Sequence, residues 1–509
     1  MGQRSALWVL LAAAGLALLH ALHLRHTCDD AFISFRYAHH LASGQGLVFN
    51  AGERVMGYSD LLWVLLLAGA EALHLGLPQA SAFLGTLCAW ATLAMVLLHL
   101  RRTTGQWAPV LVGLGLLVGN GTFALWMFGG LEGHLFTALV VFAALRTLDT
   151  PDEAPARAWV AVGLALGLAS ITRPEGLLYV APVGCFLLLR GGRAALRRVL
   201  LVSAVAGSIF AAASAWQFVY YGSFVPNTYD AKHLPLSGAL LARGLELSLG
   251  FARAYSFVPL LVLVGWLVSA RPRRRARGWL PVLLIAAFFA FYLSIGGDVL
   301  VYFRMWLVTL PFFALLAAEV VERLAALKLR WQPQWVLGAV LVALTVPASL
   351  TGWSLEYLRS DDAALADLRR VGRRLGRLPP GTVIAANVVG ILAFESGLTM
   401  IDMLGLNDAH IARLQNKTVG VPAHESHDGA YVLSRRPDLI FPGIAEAAAS
   451  PQPVDALMVY PSDLDLLAQP GFLQDYRLVG VPLGPRGVLQ VFVRADFAAK
   501  HDVSALLGD

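Results

Sequence analysis

The chain has 509 residues, of which 57% are hydrophobic and only 14% charged. Apolar runs of roughly 17–20 residues recur through the first two-thirds, each long enough to cross a ~30 Å hydrocarbon layer. That excludes an ordinary soluble globule, and the formal net charge of +6, held mostly in short loops between the runs, sets membrane orientation and is no sign of nucleic-acid binding.

The apolar runs lie at approximately 6–24, 61–77, 80–100, 108–127, 132–148, 157–172, 176–190, 197–218, 251–270, 279–296, 303–321 and 334–352. Lipid offers no hydrogen-bond partners, so each run must be helical. Arg4 gives the first run the charged start of a signal peptide. No small-x-small cleavage site follows, and the run is expected as an uncleaved first span. Directly after it stands Thr27-Cys28-Asp29-Asp30-Ala31-Phe32-Ile33-Ser34-Phe35-Arg36-Tyr37. Two adjacent carboxylates thus sit where a membrane helix meets water, beside any head group carried on a lipid.

Basic clusters at Arg101-Arg102, Arg190 to Arg198, Arg271 to Arg277 and Arg323 to Arg330 test the span count. All of them fall on the inner face, with Arg4, only if 57–77 is a membrane-surface helix. Glu71 and His74, costly at mid-bilayer, agree. About eleven spans are therefore expected, with Asp29/Asp30 and the chain after residue 352 on the outer face. The same choice puts four unusual polar loops on that face. They contain Glu132; Arg173-Pro174-Glu175; Asn227 to Lys232; and Asp298 with Arg304.

After Thr351 the composition changes. Glu356 to Arg377 reads as a charged amphipathic helix, and short β-type runs follow at 382–386, 399–403, 438–441 and 488–493. The expected domains are 1–352, membrane-embedded, and 353–509, a small α/β unit. Cys28, Cys88 and Cys185 are scattered and suggest neither disulfides nor a metal cluster.

A sugar carried on a lipid phosphate needs a proton acceptor for the incoming hydroxyl and cations for the departing phosphate. Asp29 or Asp30 suits the first need. Arg173, Lys232 and Arg304 suit the second, with Arg36, Glu132, Asn227, Tyr58 and Asp298 as further substrate-binding candidates. Each has a plainer reading as an ion pair, a helix end or a turn. His39, His40, His134 and His233 lack metal-site spacing; no metal ligands are assigned, and a divalent cation on the acid pair stays open. The Asn120-Gly121-Thr122 and Asn416-Lys417-Thr418 sequons are short enough to arise by chance. A transporter, which would place ionisable groups at mid-membrane in broken helices, fits less well. A structural protein leaves the acid and arginine loops unexplained.

The Asp29-to-Tyr37 stretch, followed by Gly44-Gln45-Gly46 through Gly57-Tyr58-Ser59, resembles the first outer loop of GT-C fold glycosyltransferases that use polyprenyl-phosphate sugars. Most similar are the terminal arabinofuranosyltransferases of mycobacterial cell walls. The likeness continues through Gly130-Leu131-Glu132, Arg173 to Gly176, Pro226 to Lys232, Gly297-Asp298 with Arg304, and Ile401 to Asp408. Ser59-Asp60 and Gly133-His134 depart from the family's usual residues. The resemblance implies an inverting transfer from a lipid-phosphate donor to a cell-envelope glycan on the outer face of the bacterial cytoplasmic membrane. It implies Asp29 as general base, with Asp30 the close alternative, membrane-parallel helices in the first outer loop, and a glycan-binding role for the outer α/β domain. Arabinofuranose is the first sugar expected, and a hexose the alternative.

Overall fold

The structure is a computed structural model that describes residues 2–191, 194–269, 275–298, 300–330, 332–346, 353–414, 417, 419–422 and 424–508. The chain opens with α1 (Gln3–His23), α2 (Asp29–Ala42) and α3 (Leu61–Ala72), followed by α4 (Leu77–Thr104) and α5 (Trp107–Val118). Next come the short α6 (Gly121–Leu125), then α7 (Gly133–Asp149), α8 (Ala156–Thr172), α9 (Val180–Arg190) and α10 (Ala195–Tyr221). α11 (Asn227–Lys232), α12 (Gly238–Ala254), α13 (Val258–Ser269), α14 (Arg275–Ser294), α15 (Leu310–Ala325) and α16 (Pro333–Thr345) complete the bundle.

The bundle has two chemically distinct ends. At one, Arg198 pairs with Asp152 (2.7 Å), His99 meets Asp149 (2.8 Å), and Arg190 donates to the Thr147 carbonyl (2.9 Å). This joins the far ends of α4, α7, α9 and α10 through the arginine-rich loops. At the other end the α1–α2 junction meets the segment after α6. Thr27 Oγ1 donates to the Phe128 carbonyl (3.1 Å) and the Cys28 N–H to that of Gly129 (3.3 Å). The Asp29/Asp30 pair lies there.

By length and composition, four helical stretches among the described residues can cross a membrane: Gln3–His23, Leu77–Thr104, Ala195–Tyr221 and Val301–Ala325. α12 and α13 make a fifth if counted as one span bent by 88°. The other apolar helices are shorter. α3 has 12 residues, ~18 Å of helix, less than the hydrocarbon thickness. Glu71 near its end meets His39 of α2 at 2.8 Å. The apolar run 251–270 is not one span: the chain turns sharply at Tyr255–Phe257, and the helix before the turn begins at Gly238, well upstream. Arg243, Glu246 and Arg253 break the apolar pattern there and hid α12 from a hydropathy reading. Arg271 to Arg274 and residues 347–352 lie outside the described residues, as do Asn416 and Thr418.

The helix α17 (Trp353–Leu375) buries Leu358, Ala364, Leu368, Val371 and Leu375, spacings that keep one stripe inward. Beyond it lies a five-stranded sheet in the order β2-β1-β3-β5-β4. Its strands are β1 (Val383–Ala386), β2 (Thr399–Asp402), β3 (Leu439–Phe441), β4 (Tyr476–Pro482) and β5 (Val488–Arg494). β1 pairs in parallel with β2 and β3, while β5 runs antiparallel to β3 and β4. The sequence reading missed β4, an edge strand carrying Gly480 and ending at Pro482. At the carboxyl ends of β1 and β3, Asn387 donates to Asp463 (2.8 Å), and Asp463 also accepts the Gly443 N–H (3.1 Å). The chain's own carboxylate thus fills the crevice where parallel sheets commonly receive ligands.

A polar seam joins this unit to the first loop. Asn50 exchanges two hydrogen bonds with the backbone of Met400 (2.8 and 3.0 Å). The helix α18 (Gly390–Ser396), between β1 and β2, packs on α2.

Candidate functional site

α2 begins at the acid pair, with Cys28 extended just before it. Two carboxylates in a first helical turn are favoured by the helix dipole. Gly130 fixes where that turn lies: its φ is +86°, and a Cβ there would stand 2.5 Å from the Ala31 methyl. Only glycine lets the segment before α7 lie this close.

The two acids have different surroundings. Asp29 accepts the Gly390 N–H on Oδ2 (2.9 Å) and the Ile391 N–H on Oδ1 (2.7 Å), so it caps α18. Loss of hydration raises its pKa to about 7, against the lowering effect of those two N–H groups and with help from the charge of Asp30. Both oxygens of the residue expected as the base are therefore engaged. Asp30 has no hydrogen-bond partner among the described residues, and it lies within electrostatic reach of Arg304.

Arg173 and Arg304 line a small recess with Glu175 and Tyr179, and Phe136, Phe288, Leu307 and Val308 form its apolar wall. Arg173 pairs with Glu132 (2.7 Å) and Glu175 (2.5 Å). Burial works against its charge, but the two glutamates outweigh it and raise its pKa. Arg304 Nε donates to Asp298 Oδ2 (3.2 Å). Burial opposes ionisation of Asp298, yet Arg304, Lys232 and Arg173 hold it below the usual carboxylate range. Lys232 is exposed, and its charge acts on Asp298. Glu132, Arg173 and Glu175 are thus brought to the same end of the bundle as Asp30, Lys232, Asp298 and Arg304.

Asp60 belongs to the same web and was not among the sequence candidates. It accepts from Ser34 Oγ (2.8 Å), and burial together with Glu132 raises its pKa. Its place directly before the apolar α3 was the readable signal.

Three candidates lie elsewhere, in the seam. Arg36 is buried, and each of its three nitrogens donates to a backbone carbonyl: Phe49 (2.5 Å), Leu398 (2.7 Å) and Ala393. Asn227 gives its side-chain amide to the carbonyls of Gly405 (2.7 Å), Leu406 (3.1 Å) and Asp408 (3.1 Å). Tyr58 is buried, its hydroxyl 3.3 Å from that of Tyr221. Buried polar groups need partners, and the chain after residue 390 supplies them for Arg36 and Asn227. Among the described residues no three His, Cys, Asp or Glu side chains converge as metal ligands.

A family model described as a domain of unknown function (DUF8728) matches residues 357–503. A curated protein of Corynebacterium glutamicum named terminal beta-(1->2)-arabinofuranosyltransferase is 28% identical over 367 residues, 64% of this chain and 51% of the relative. The protein of that name in Mycobacterium tuberculosis is 30% identical over 280 residues, 51% of this chain and 43% of the relative. The chain therefore spans about half the length of the curated relatives it matches. Among solved structures, apo ArnT from Cupriavidus metallidurans superposes with a TM-score of 0.57 at 16% identity, over 78% of this chain and 85% of that one. The same protein bound to undecaprenyl phosphate gives 0.56 at 15% identity, over 78% and 86%. The oligosaccharyltransferase of Archaeoglobus fulgidus gives 0.54 at 13%, over 79% and 65%. These likenesses show the fold, which is the GT-C fold expected from the first-loop resemblance.

Proposed function

We propose that this chain is an inverting membrane glycosyltransferase that moves a sugar from a polyprenyl-phosphate donor to a cell-envelope glycan. The observation that carries the reading is that Arg173 and Arg304 line one recess, each paired to a carboxylate (Glu132 and Asp298), with the carboxylate of Asp30 within electrostatic reach of Arg304. Asp30 is the general base: it takes the proton of the acceptor hydroxyl as that oxygen forms its bond to the anomeric carbon. The carbon–oxygen bond to phosphate breaks on the opposite face, and its electron pair leaves with the lipid phosphate. Arg304 and Arg173 hold that phosphate, with Lys232 at the rim, and Glu132 and Asp298 keep the two guanidiniums in place. The apolar wall takes the first units of the lipid.

Arabinofuranose is the sugar we assign first, because both curated relatives are named for its transfer. A polyprenyl-phosphate hexose is the second choice. ArnT bound to undecaprenyl phosphate supports a lipid-phosphate ligand for this fold. The charge of the loops supports an inner basic face and an outer site, with the unit from residue 353 also outside.

Purified protein incubated with a panel of polyprenyl-phosphate pentoses and hexoses tests this, sugar loss being followed with each. We expect turnover of one donor class by the wild type, and loss of on the order of 10²–10⁴ in rate for Asp30→Asn at unchanged melting temperature. Wild-type turnover by Asp30→Asn would remove the assigned base. Release of no sugar from any donor would overturn the enzyme reading.

A further inference from the structure

Arg304 follows two residues in a backbone conformation that side chains resist. Tyr302 (φ 52°, ψ 35°) and Phe303 (φ 53°, ψ 50°) are both left-handed, inside the 3₁₀ stretch Val301–Thr309. Consecutive non-glycine residues adopt this only where their surroundings impose it. One hydrogen bond reaches the turn from outside it. Thr122 Oγ1 donates to the Tyr302 carbonyl (2.6 Å). Its proton is directed there because Tyr255 Oη, 2.8 Å away, has its own proton to give to Thr122 Oγ1 and accepts the Thr122 N–H at 2.9 Å. The three groups form one closed donor chain, and Thr122 is wholly buried.

Tyr255 reaches α6 because of a second strained turn. Ser256 (φ 50°) and Phe257 (φ 58°) are also left-handed, at the break between α12 and α13. Two backbone breaks, nearly fifty residues apart in sequence, thus meet at a single threonine. On the other side the ring of Trp306 stacks on Phe251 (4.3 Å between centroids), and Phe303 packs edge-on to Phe251 (5.6 Å). The aromatic packing holds the residues flanking Arg304, and the Thr122 hydroxyl fixes the carbonyl of the turn itself.

We infer that Thr122 is a positioning residue: through the Tyr302 carbonyl it holds the left-handed turn that delivers Arg304 to the recess. This rests on the phosphate-holding role proposed for Arg304. A threonine that only satisfied its own burial would not set donor affinity selectively. Thr122→Val keeps the shape and removes the donor, Thr122→Ser keeps the donor, and Tyr255→Phe removes the partner hydroxyl while keeping the ring.

The readouts are donor and acceptor KM with the best lipid-phosphate sugar of the panel, and amide hydrogen exchange of peptides covering 300–309 in nanodiscs. For Thr122→Val and Tyr255→Phe we expect a roughly tenfold rise in donor KM, the scale of one lost buried hydrogen bond. We also expect unchanged acceptor KM and faster exchange at 300–306, with Thr122→Ser close to wild type on both. Equal rises in both KM values, unaltered exchange, or failure of serine to restore would overturn the inference. Should the wild type use no lipid phosphate, the donor reading falls separately, and exchange at 300–306 alone decides whether Thr122 holds the turn.

Discussion

A carboxylate that already accepts two backbone N–H groups is a poor acceptor for a third partner, and Asp29 is in that state. Its neighbour is turned about 100° around the same helix, and its carboxylate has no hydrogen-bond partner among the described residues. The raised pKa of Asp29, about 7, has a consequence for stability. The folded chain holds a proton that the unfolded chain gives up near the ordinary carboxylate value. Asp29's contribution to stability is therefore full below about pH 4 and lost as pH rises through 7. We expect the melting temperature in detergent to fall across that window, and Asp29→Asn to flatten the fall; an identical slope in the variant would exclude Asp29 as its source. Arg304→Lys keeps charge but not the planar fork, and we expect lipid-phosphate affinity, read by titration, to drop about ten- to a hundredfold. The acid pair was legible in the sequence because polar residues stand out where an apolar run ends. Which acid was free was not legible, since the groups that engage Asp29 lie at Gly390 and Ile391, far along the chain.

Elements explain what some of the polar motifs in the loops hold together. Arg36 on α2 and Asn227 at the start of α11 hold carbonyls of the C-terminal unit. Removing Arg36 takes a donor from three buried carbonyls, of which that of Ala393 keeps the Gly397 N–H. We expect Arg36→Ala to cost about 3 kcal/mol or more, read as a lower melting temperature together with protease release of the segment after residue 353. Release at the wild-type rate would mean that the seam is held by other groups. Helix periodicity made α17 and most bundle helices readable, and β-branched runs gave β1, β2, β3 and β5. Charge in α12 and the glycine and proline of β4 masked those two elements, because hydropathy does not register a face packed on a neighbour.

For the whole molecule, the separation of a basic end from an acid-and-arginine end is a statement about sides of a membrane. Single cysteines placed at Arg102 and at Lys232, in a background free of native cysteines, should react with an impermeant maleimide from opposite faces of sealed vesicles. Labelling of both from one face would contradict the assignment of the two ends to different sides. The fold was legible through the first-loop resemblance; the places where runs break were not, since an 88° bend and a strained turn interrupt runs that hydropathy treats as continuous.

The seam between the first loop and the segment after residue 390 bears on how such proteins can be recombined. Asp29 and Arg36 find their partners in backbone atoms of α18 and the residues around it, and Asn50 and Asn227 find theirs at β2 and the loop that follows. A chimera that exchanges only the terminal unit with a distant relative inherits a mismatched joint directly beneath the acid pair. Swapping residues 27–60 and 226–232 along with it keeps both halves of that joint from one parent.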